Sequence, residues 1–212
     1  MATEQISQST LERLPLYLHY LKSLPKEVKN VSSTAVAKAL RLGEVQVRKD
    51  LGAILRSGRP KVGYDTEALI AGLESFLGSG QNLPAVLIGA GKLGSALFDY
   101  DGFKEYGLTI LAAFDLAPEK ALLSSFSNKV YDLSELPAFC KKHKVEIGIV
   151  TVPEKAAQSA CDLLVKSGIK AIWNFAPAAI IAPEDILIRN ENMASSLALL
   201  SRHLVAKSAK NF

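Results

Sequence analysis

Gly89-Ala90-Gly91-Lys92-Leu93-Gly94 is a stretch whose residue types and spacing could hold a phosphate. It follows the apolar run Ala85-Val86-Leu87-Ile88 and opens a segment with a helical pattern, Ser95 to Tyr100. Glycines at these intervals permit a tight strand-to-helix turn, close backbone approach to a pyrophosphate and close packing of the helix. Backbone N–H groups at the start of that helix, with the positive end of its dipole, suit an anion. A second apolar run, Thr109 to Phe114, ends at Asp115, where a carboxylate would accept hydrogen bonds from a ribose 2′-hydroxyl. Strand, glycine turn, helix, strand and terminal acid in this order predict a site for an NAD-type dinucleotide. The glycine string alone would equally fit a turn that binds nothing.

A second group of residues is cationic. Gln46, Arg48 and Lys49 fall near the start of a helical segment, Val45 to Arg56, whose inward residues are Val47, Leu51, Ile54 and Leu55. The short segment Arg41-Leu42-Gly43-Glu44 joins it to a preceding helix, Ala35 to Leu40, capped from Ser32-Ser33-Thr34. That length suits a helix-turn-helix, whose second helix presents its early residues to base edges and phosphates. Gly58 to Tyr64 carries Arg59 and Lys61 between glycines and reads as the tip of a hairpin wing. Residues Met1 to Gly63 hold eleven Lys and Arg against five Asp and Glu, a net of +6, whereas the remainder is at −2. A basic head on a slightly acidic body is the footprint of a polyanion-binding unit, here double-stranded DNA. A solvated basic face is the alternative that charge alone would leave open.

Elements must position these groups. Ser9 or Thr10 is placed to cap a first helix in which Leu11, Leu14, Leu18 and Leu21 recur at helical spacing. Asp65 to Leu77 reads as a further helix, and Gly78 to Asn82 as a linker. Beyond it strands alternate with helices, which predicts a parallel sheet with helical crossovers. A helix is expected around Pro118 to Leu123, a short strand around Lys129 to Tyr131 and a helix over Leu133 to Lys144. A strand over Val145 to Val152 is followed by a helix over Glu154 to Lys166, and further strands are expected over Gly168 to Phe175 and Ile186 to Arg189. Ligands bind outside the carboxyl ends of such strands, so Thr151, Val152 and Pro153 and then Asn174, Phe175 and Ala176 are expected at the cofactor. The last helix, Glu191 to Lys207, has Met193, Leu197, Leu200 and Leu204 in one stripe. Such a stripe packs on the chain's own sheet or on a partner chain. The fold class is α/β: a winged helix-turn-helix (1–80), a Rossmann domain (81–190) and a terminal helix (191–212).

Several classes are disfavoured. Each apolar run is interrupted by Lys, Glu or Pro well short of the roughly 18 residues of a membrane span. Met1 to Gln5 has neither the basic head nor the apolar stretch of a signal peptide, and a cytoplasmic location is expected. Cys140 and Cys161 lack metal or redox spacing, and no histidine pair is spaced to bind a metal. An NAD-dependent oxidoreductase, or another nucleotide-binding enzyme with an accessory DNA-binding head, would need a substrate domain and an acid or base near the nicotinamide. Only about one helix follows the last strand, and His19, His143 and His203 are poorly placed for that work.

The chain resembles the bacterial redox-sensing repressors of the Rex family. The likeness runs through Arg13-Leu-Pro-Leu-Tyr17, Val47-Arg48-Lys49-Asp50-Leu51, Val62-Gly63-Tyr64 and the glycine turn with Ser95-Ala-Leu. It continues in Tyr100, Gly102-Phe103, Ile149-Val-Thr-Val-Pro153 and Asn174-Phe175-Ala-Pro177. The resemblance implies a homodimer that binds operator DNA and is released by NADH but not by NAD⁺. It implies that Gly89, Gly91 and Gly94 form the dinucleotide turn, that Asp115 meets the adenosine ribose and that Tyr100 lies near the nicotinamide. It also implies that the last helix is exchanged between subunits. Where many members carry an Asp near the start of that helix, able to pair with an Arg of the winged domain, this chain has Asn192; Arg13 stands at the partner position. An amide loses the charge assistance of a carboxylate toward guanidinium, so the switch is expected to be altered.

Overall fold

The computed structural model describes residues 6–55, 58–59, 62–78, 81–121, 126 and 129–208. It divides into two compact units, Met1–Gln81 with Lys104–Gly107, and Asn82–Phe103 with Leu108–Phe212.

Among the described residues the smaller unit is built from four helices and a short hairpin: α1 (Gln8–Lys22), β1 (Asn30–Val31), α2 (Ser33–Leu40), α3 (Glu44–Ile54), β2 (Tyr64–Asp65) and α4 (Thr66–Leu77). The cap of α1 is Ser7, whose Oγ accepts from Thr10 N at 3.2 Å, and not Ser9 or Thr10. Thr10 is buried instead, and its hydroxyl donates into the core. The buried stripe of α1 is Leu14, Tyr17, Leu18 and Leu21; Leu11 is 41% exposed, because the helix face turns through Tyr17. Ser32 Oγ caps α2 by accepting from Ala35 N at 3.0 Å. The residue that reverses the chain after α2 is Arg41, in the left-handed region at φ 55°, whereas Gly43 is extended at the start of α3. β1 pairs antiparallel with β2, and Arg59 and Gly63 exchange backbone hydrogen bonds at 2.9 Å, which forms the wing. Lys61 and Arg56 lie outside the described residues. One core fills this unit, with Val36, Val47, Leu51, Leu69 and Leu73 fully buried; Tyr106, from the returning segment, packs against it.

In the larger unit six described strands form one parallel sheet in the order β5-β4-β3-β6-β7-β8. They are β3 (Leu83–Ile88), β4 (Leu108–Asp115), β5 (Val130–Asp132), β6 (Ile147–Val150), β7 (Ala171–Asn174) and β8 (Leu187–Asn190). The helices are α5 (Lys92–Phe98), α6 (Leu136–His143), α7 (Ala157–Lys166) and α8 (Met193–Ser208). β6 is shorter than the Val145–Val152 run suggests, because Val145 N turns back to Cys140 O at 3.0 Å and closes α6. The segment after Asp115 holds only a short 3-10 turn, Pro118–Lys120, and Leu122 and Leu123 lie outside the described residues. Both sheet faces are covered: α6 and α7 pack on Val86, Ala112, Phe114 and Ile172, while Phe126 and α5 pack over Leu87, Ala113 and Ile149. A sheet buried on both sides explains why its strands read as unbroken apolar runs.

Strand order reverses between β3 and β6, and open parallel sheets bind ligands at that point. Ile88 is in register with Phe114 on one side and Val150 on the other, and Val150 with Asn174. The next residue of each strand, Gly89, Asp115, Thr151 and Phe175, therefore falls on one rim. Gly89 N to Phe114 O (2.8 Å), Thr151 N to Ile88 O (2.9 Å) and Phe175 N to Val150 O (2.8 Å) extend the ladder to that rim.

Candidate functional site

The rim opens into a cleft of about 850 Å³, within the range of small-molecule sites. Gly89, Gly91, Leu93, Asp115, Thr151, Val152, Pro153 and Phe175 line it, eight of the sequence-predicted residues. Gly89 has φ +105°, and a Cβ there would lie 2.9 Å from the Thr151 carbonyl. At Gly94 a Cβ would lie 2.0 Å from Gly89 O, so α5 can approach the turn only without a side chain. Gly91 differs: a Cβ would meet nothing within 4 Å, and its free side is the cleft. The three glycines thus have three different reasons, and only the third concerns what occupies the cleft. The single hydroxyl proton of Thr151 is shared between Gly89 O (2.8 Å) and Ile88 O (3.1 Å), pinning the turn to β6.

Asp115 is spent on backbone before any ligand arrives. Its Oδ2 accepts from Ala90 N at 2.8 Å and its Oδ1 from Ala117 N at 3.0 Å. A carboxylate oxygen has a second lone pair, so both remain able to accept from hydroxyls. Ala90 is buried with its N–H so used, and serves the turn and not the cleft. Lys92, on the exposed side of α5, and Tyr100, 60% exposed, are not among the lining residues. Tyr100 instead begins a run of rings: Tyr100–Phe103 at 5.0 Å, Phe103–Trp173 at 5.6 Å and Trp173–Phe175 at 4.5 Å.

Asn174 is fully buried and lies behind the cleft wall. Its amide nitrogen donates to Ala178 O (2.8 Å) and Asn190 Oδ1 (2.9 Å), and its oxygen accepts from Ala176 N (3.0 Å). It shapes the turn whose Pro177 reaches the cleft; Ala176 is buried in that turn. The apolar wall also uses Leu116, Leu133, Ala156 and Leu163, which sequence reasoning missed. Leu116, 79% exposed beside Asp115, could have been found as an apolar residue following the strand-terminal acid.

In the smaller unit the face of α3 is organised by one buried carboxylate. Asp50 is 4% exposed and accepts four side-chain hydrogen bonds: Thr10 Oγ1 (3.0 Å), Arg13 Nε (2.8 Å), Arg13 Nη2 (3.0 Å) and Tyr17 OH (2.7 Å). Burial opposes ionisation of Asp50, but the bonds from Arg13, Tyr17 and Thr10 outweigh it and hold the group below its ordinary range. The same burial, with the bond to Asp50, pushes Tyr17 up to about 12. Gln46, with its amide oxygen turned to Arg13, accepts from Nη1 at 3.0 Å and Nη2 at 3.3 Å. Its two amide hydrogens then point away from the guanidinium. Gln46, Arg48, Lys49 and Arg59 are all exposed. Arg48 pairs with Glu44 one turn earlier and, with Arg59, lines a groove of about 450 Å³ whose other walls include Ser32, Ser33 and Thr34. Two guanidiniums facing hydroxyls and the start of α2 make a surface suited to phosphates.

Arg13 and Asn192, expected to pair across subunits, each have a partner within this chain. Arg13 lies on Asp50 as above. Asn192 Oδ1 accepts from Ser195 N at 2.9 Å and caps α8. Exposed leucines run along α8: Leu197 (68%), Leu200 (58%) and Leu204 (61%); the side chain of Met193 lies outside the described set. Both cysteines are free and buried, and burial raises Cys140 to about 11 and, with the Asp162 charge, raises Cys161. Neither is a thiolate at neutral pH. Among the described residues no His, Cys, Asp or Glu group is gathered to hold a metal, and no helix is long and apolar enough to cross a membrane.

Comparison with known proteins bears on both units. Residues 5–52 match a family described as putative DNA-binding protein N-terminus, and residues 81–178 a family described as CoA binding domain. A redox-sensing transcriptional repressor Rex of Treponema denticola is 42% identical over 202 residues, covering 94% of this chain and 96% of its own length. The Rex repressor of Pelotomaculum thermopropionicum is 36% identical and covers 99% of both. Among solved structures, the repressor RSP in complex with β-NAD⁺ and operator DNA superposes with a TM-score of 0.86 at 32% identity, covering 97% of this chain and 95% of that one. RSP in complex with β-NADH gives 0.86 at 32% identity, covering 98% of each.

Proposed function

This chain belongs to the Rex family of redox-sensing transcriptional repressors, and on that premise we propose a residue-level reading of how it works. It is a DNA-binding repressor, not an enzyme, and its ligands are NADH and NAD⁺. The observation that carries the cofactor assignment is the cleft at the strand-order reversal, where Gly91 leaves free space and Asp115 offers two oriented oxygens. The cofactor supplies a ring that exists with or without a hydride and with a different charge in the two states.

Gly91 admits the pyrophosphate, and Asp115 accepts from the adenosine ribose hydroxyls. Leu116 covers the adenine side. Thr151 to Pro153 and Phe175 form the wall at the nicotinamide end. Because Asp115 is an anion at the ribose, a 2′-phosphate is repelled, and NADH should bind at least tenfold more tightly than NADPH, about 1.4 kcal/mol. Calorimetry checks this; equal or tighter NADPH binding removes Asp115 from that role.

Gln46, Arg48, Lys49 and Arg59 carry the operator contacts, with Arg48 and Arg59 on phosphates and Gln46 nearest the bases. The functional unit is a homodimer, since two half-sites need two heads roughly 34–36 Å apart. The exposed leucines of α8 support this, each large apolar side chain gaining about 1.5–3 kcal/mol when fully covered. Truncation after Arg189 should give monomer or aggregate by light scattering. A truncated protein that stays dimeric and NADH-responsive contradicts the assignment of α8 as the dimer helix.

A further inference from the structure

Trp173 stands between the cleft and the segment that leads into α8. One side of its ring meets Phe175, a cleft-lining residue, at 4.5 Å, and Phe103 lies at 5.6 Å. Its indole N–H donates to Glu191 Oε1 at 3.1 Å. Glu191 is two residues before α8 and one before Asn192, whose side chain caps that helix. The Glu191 backbone N–H donates to Asn174 O at 2.8 Å, so Trp173 and Asn174, adjacent on β7, both grip this residue. Glu191 Oε1 also accepts from Arg189 Nε at 3.2 Å, and its side chain is about one-third exposed.

We propose that the Trp173–Glu191 hydrogen bond is a coupling link that passes the state of the cleft wall to α8. A displacement of Phe175 moves an indole packed against it, and a rigid bicyclic ring carries that motion to its N–H. An indole donating to a carboxylate makes a charge-assisted bond, stronger than one between neutral groups and sensitive to direction. The bond ends at the residue before the helix cap, where a small displacement re-aims the whole helix. Trp173 and Glu191 are thus positioning residues: they touch neither operator nor pyrophosphate, yet set how much binding in the cleft is felt at α8. The inference rests on the dinucleotide reading of that cleft.

The test compares two quantities in the full-length protein: the NADH dissociation constant by calorimetry, and the NADH concentration that releases half of a bound operator duplex. Glu191→Leu should raise the release concentration about fivefold or more, a coupling of the size typical between sites, while the dissociation constant changes by less than about twofold. Glu191→Gln keeps an acceptor for the indole without the charge and should fall between the parent protein and Glu191→Leu. Trp173→Phe, which keeps an aromatic ring but removes the donor, should match Glu191→Leu, and the double variant should be no worse than either. The link is overturned if Glu191→Leu leaves the release concentration unchanged, or moves it only in step with the dissociation constant. It is also overturned if Glu191→Gln fails as badly as Glu191→Leu while Trp173→Phe stays near the parent, since the ion pair with Arg189 would then be the cause. If Glu191→Leu does not fold, Trp173→Phe gives the same decision. Failure of the parent protein to bind NADH at all would instead strike the cleft reading.

Discussion

In the smaller unit the operative surface is held by side chains: Thr10, Arg13 and Tyr17 of α1 converge on Asp50 of α3, and Gln46 hangs from the same guanidinium. In the larger unit the operative surface is shaped by backbone: a glycine turn and strand-end amides, with the Asp115 and Thr151 side chains bonded to backbone groups and not to each other. The first arrangement fixes the angle between two helices through charge, and fails if one group is lost. The second shapes an empty space, and fails if something is added. A repressor that must dock rigidly on a duplex yet admit a ligand has use for both.

The sharpest way to break the contrast is at Asp50. Asp50→Ala leaves Arg13 partly buried without its carboxylate partner, and breaking a buried ion pair costs about 3–5 kcal/mol. Chemical denaturation should show that loss in the head, and operator binding should fall with it, while NADH binding in the larger unit is retained. The pH dependence has a defined sign. The folded state holds Asp50 below its ordinary range, so the stabilisation is present above the unfolded carboxylate value near 4 and is lost as pH falls through the folded value. The parent head should therefore lose stability on strong acidification, and Asp50→Ala should show less of this slope. An acid profile identical in both proteins would remove Asp50 from its role.

The converse test adds an atom group to the cleft. A Cβ at Gly91 would meet no neighbour within 4 Å, and the φ there is negative, so Gly91→Val should still fold, with a melting temperature close to the parent's. NADH affinity should drop by about 100-fold or more, which is about 2.8 kcal/mol. Operator binding without NADH should persist, leaving a repressor that is not released. Retained NADH affinity in a folded Gly91→Val protein would move the pyrophosphate elsewhere.

The same contrast governs what could be read in advance. Backbone-built sites leave local traces: the spacing of Gly89, Gly91 and Gly94, the acid ending β4, and the apolar runs of a sheet covered on both faces. The strand-end positions Thr151 to Pro153 and Phe175 followed from topology alone. Side-chain networks leave none. Nothing near Asp50 in the chain announces that residues 33 to 40 positions earlier would converge on it. Asn174 was expected at the cofactor because it ends a strand, but its buried amide serves the turn behind the wall. The left-handed residue of the Arg41-Leu42-Gly43-Glu44 connection is Arg41 and not its glycine, because the chain reverses directly after α2. The return of Lys104–Gly107 to the head is likewise a tertiary fact, visible only once Tyr106 meets that core.

If the cleft is the redox sensor, its occupancy by the reduced dinucleotide must lower affinity for operator DNA. Fluorescence anisotropy of a labelled palindromic operator duplex, with the full-length protein at fixed salt, tests it directly. Salt must be fixed because phosphate contacts make the affinity ionic-strength dependent. Added NADH should weaken binding by a factor of about 5–150, the range of a 1–3 kcal/mol coupling, and NAD⁺ should leave the duplex bound. Equal operator affinity with NADH, with NAD⁺ and with neither, under conditions where calorimetry shows the cleft filled, would contradict the account.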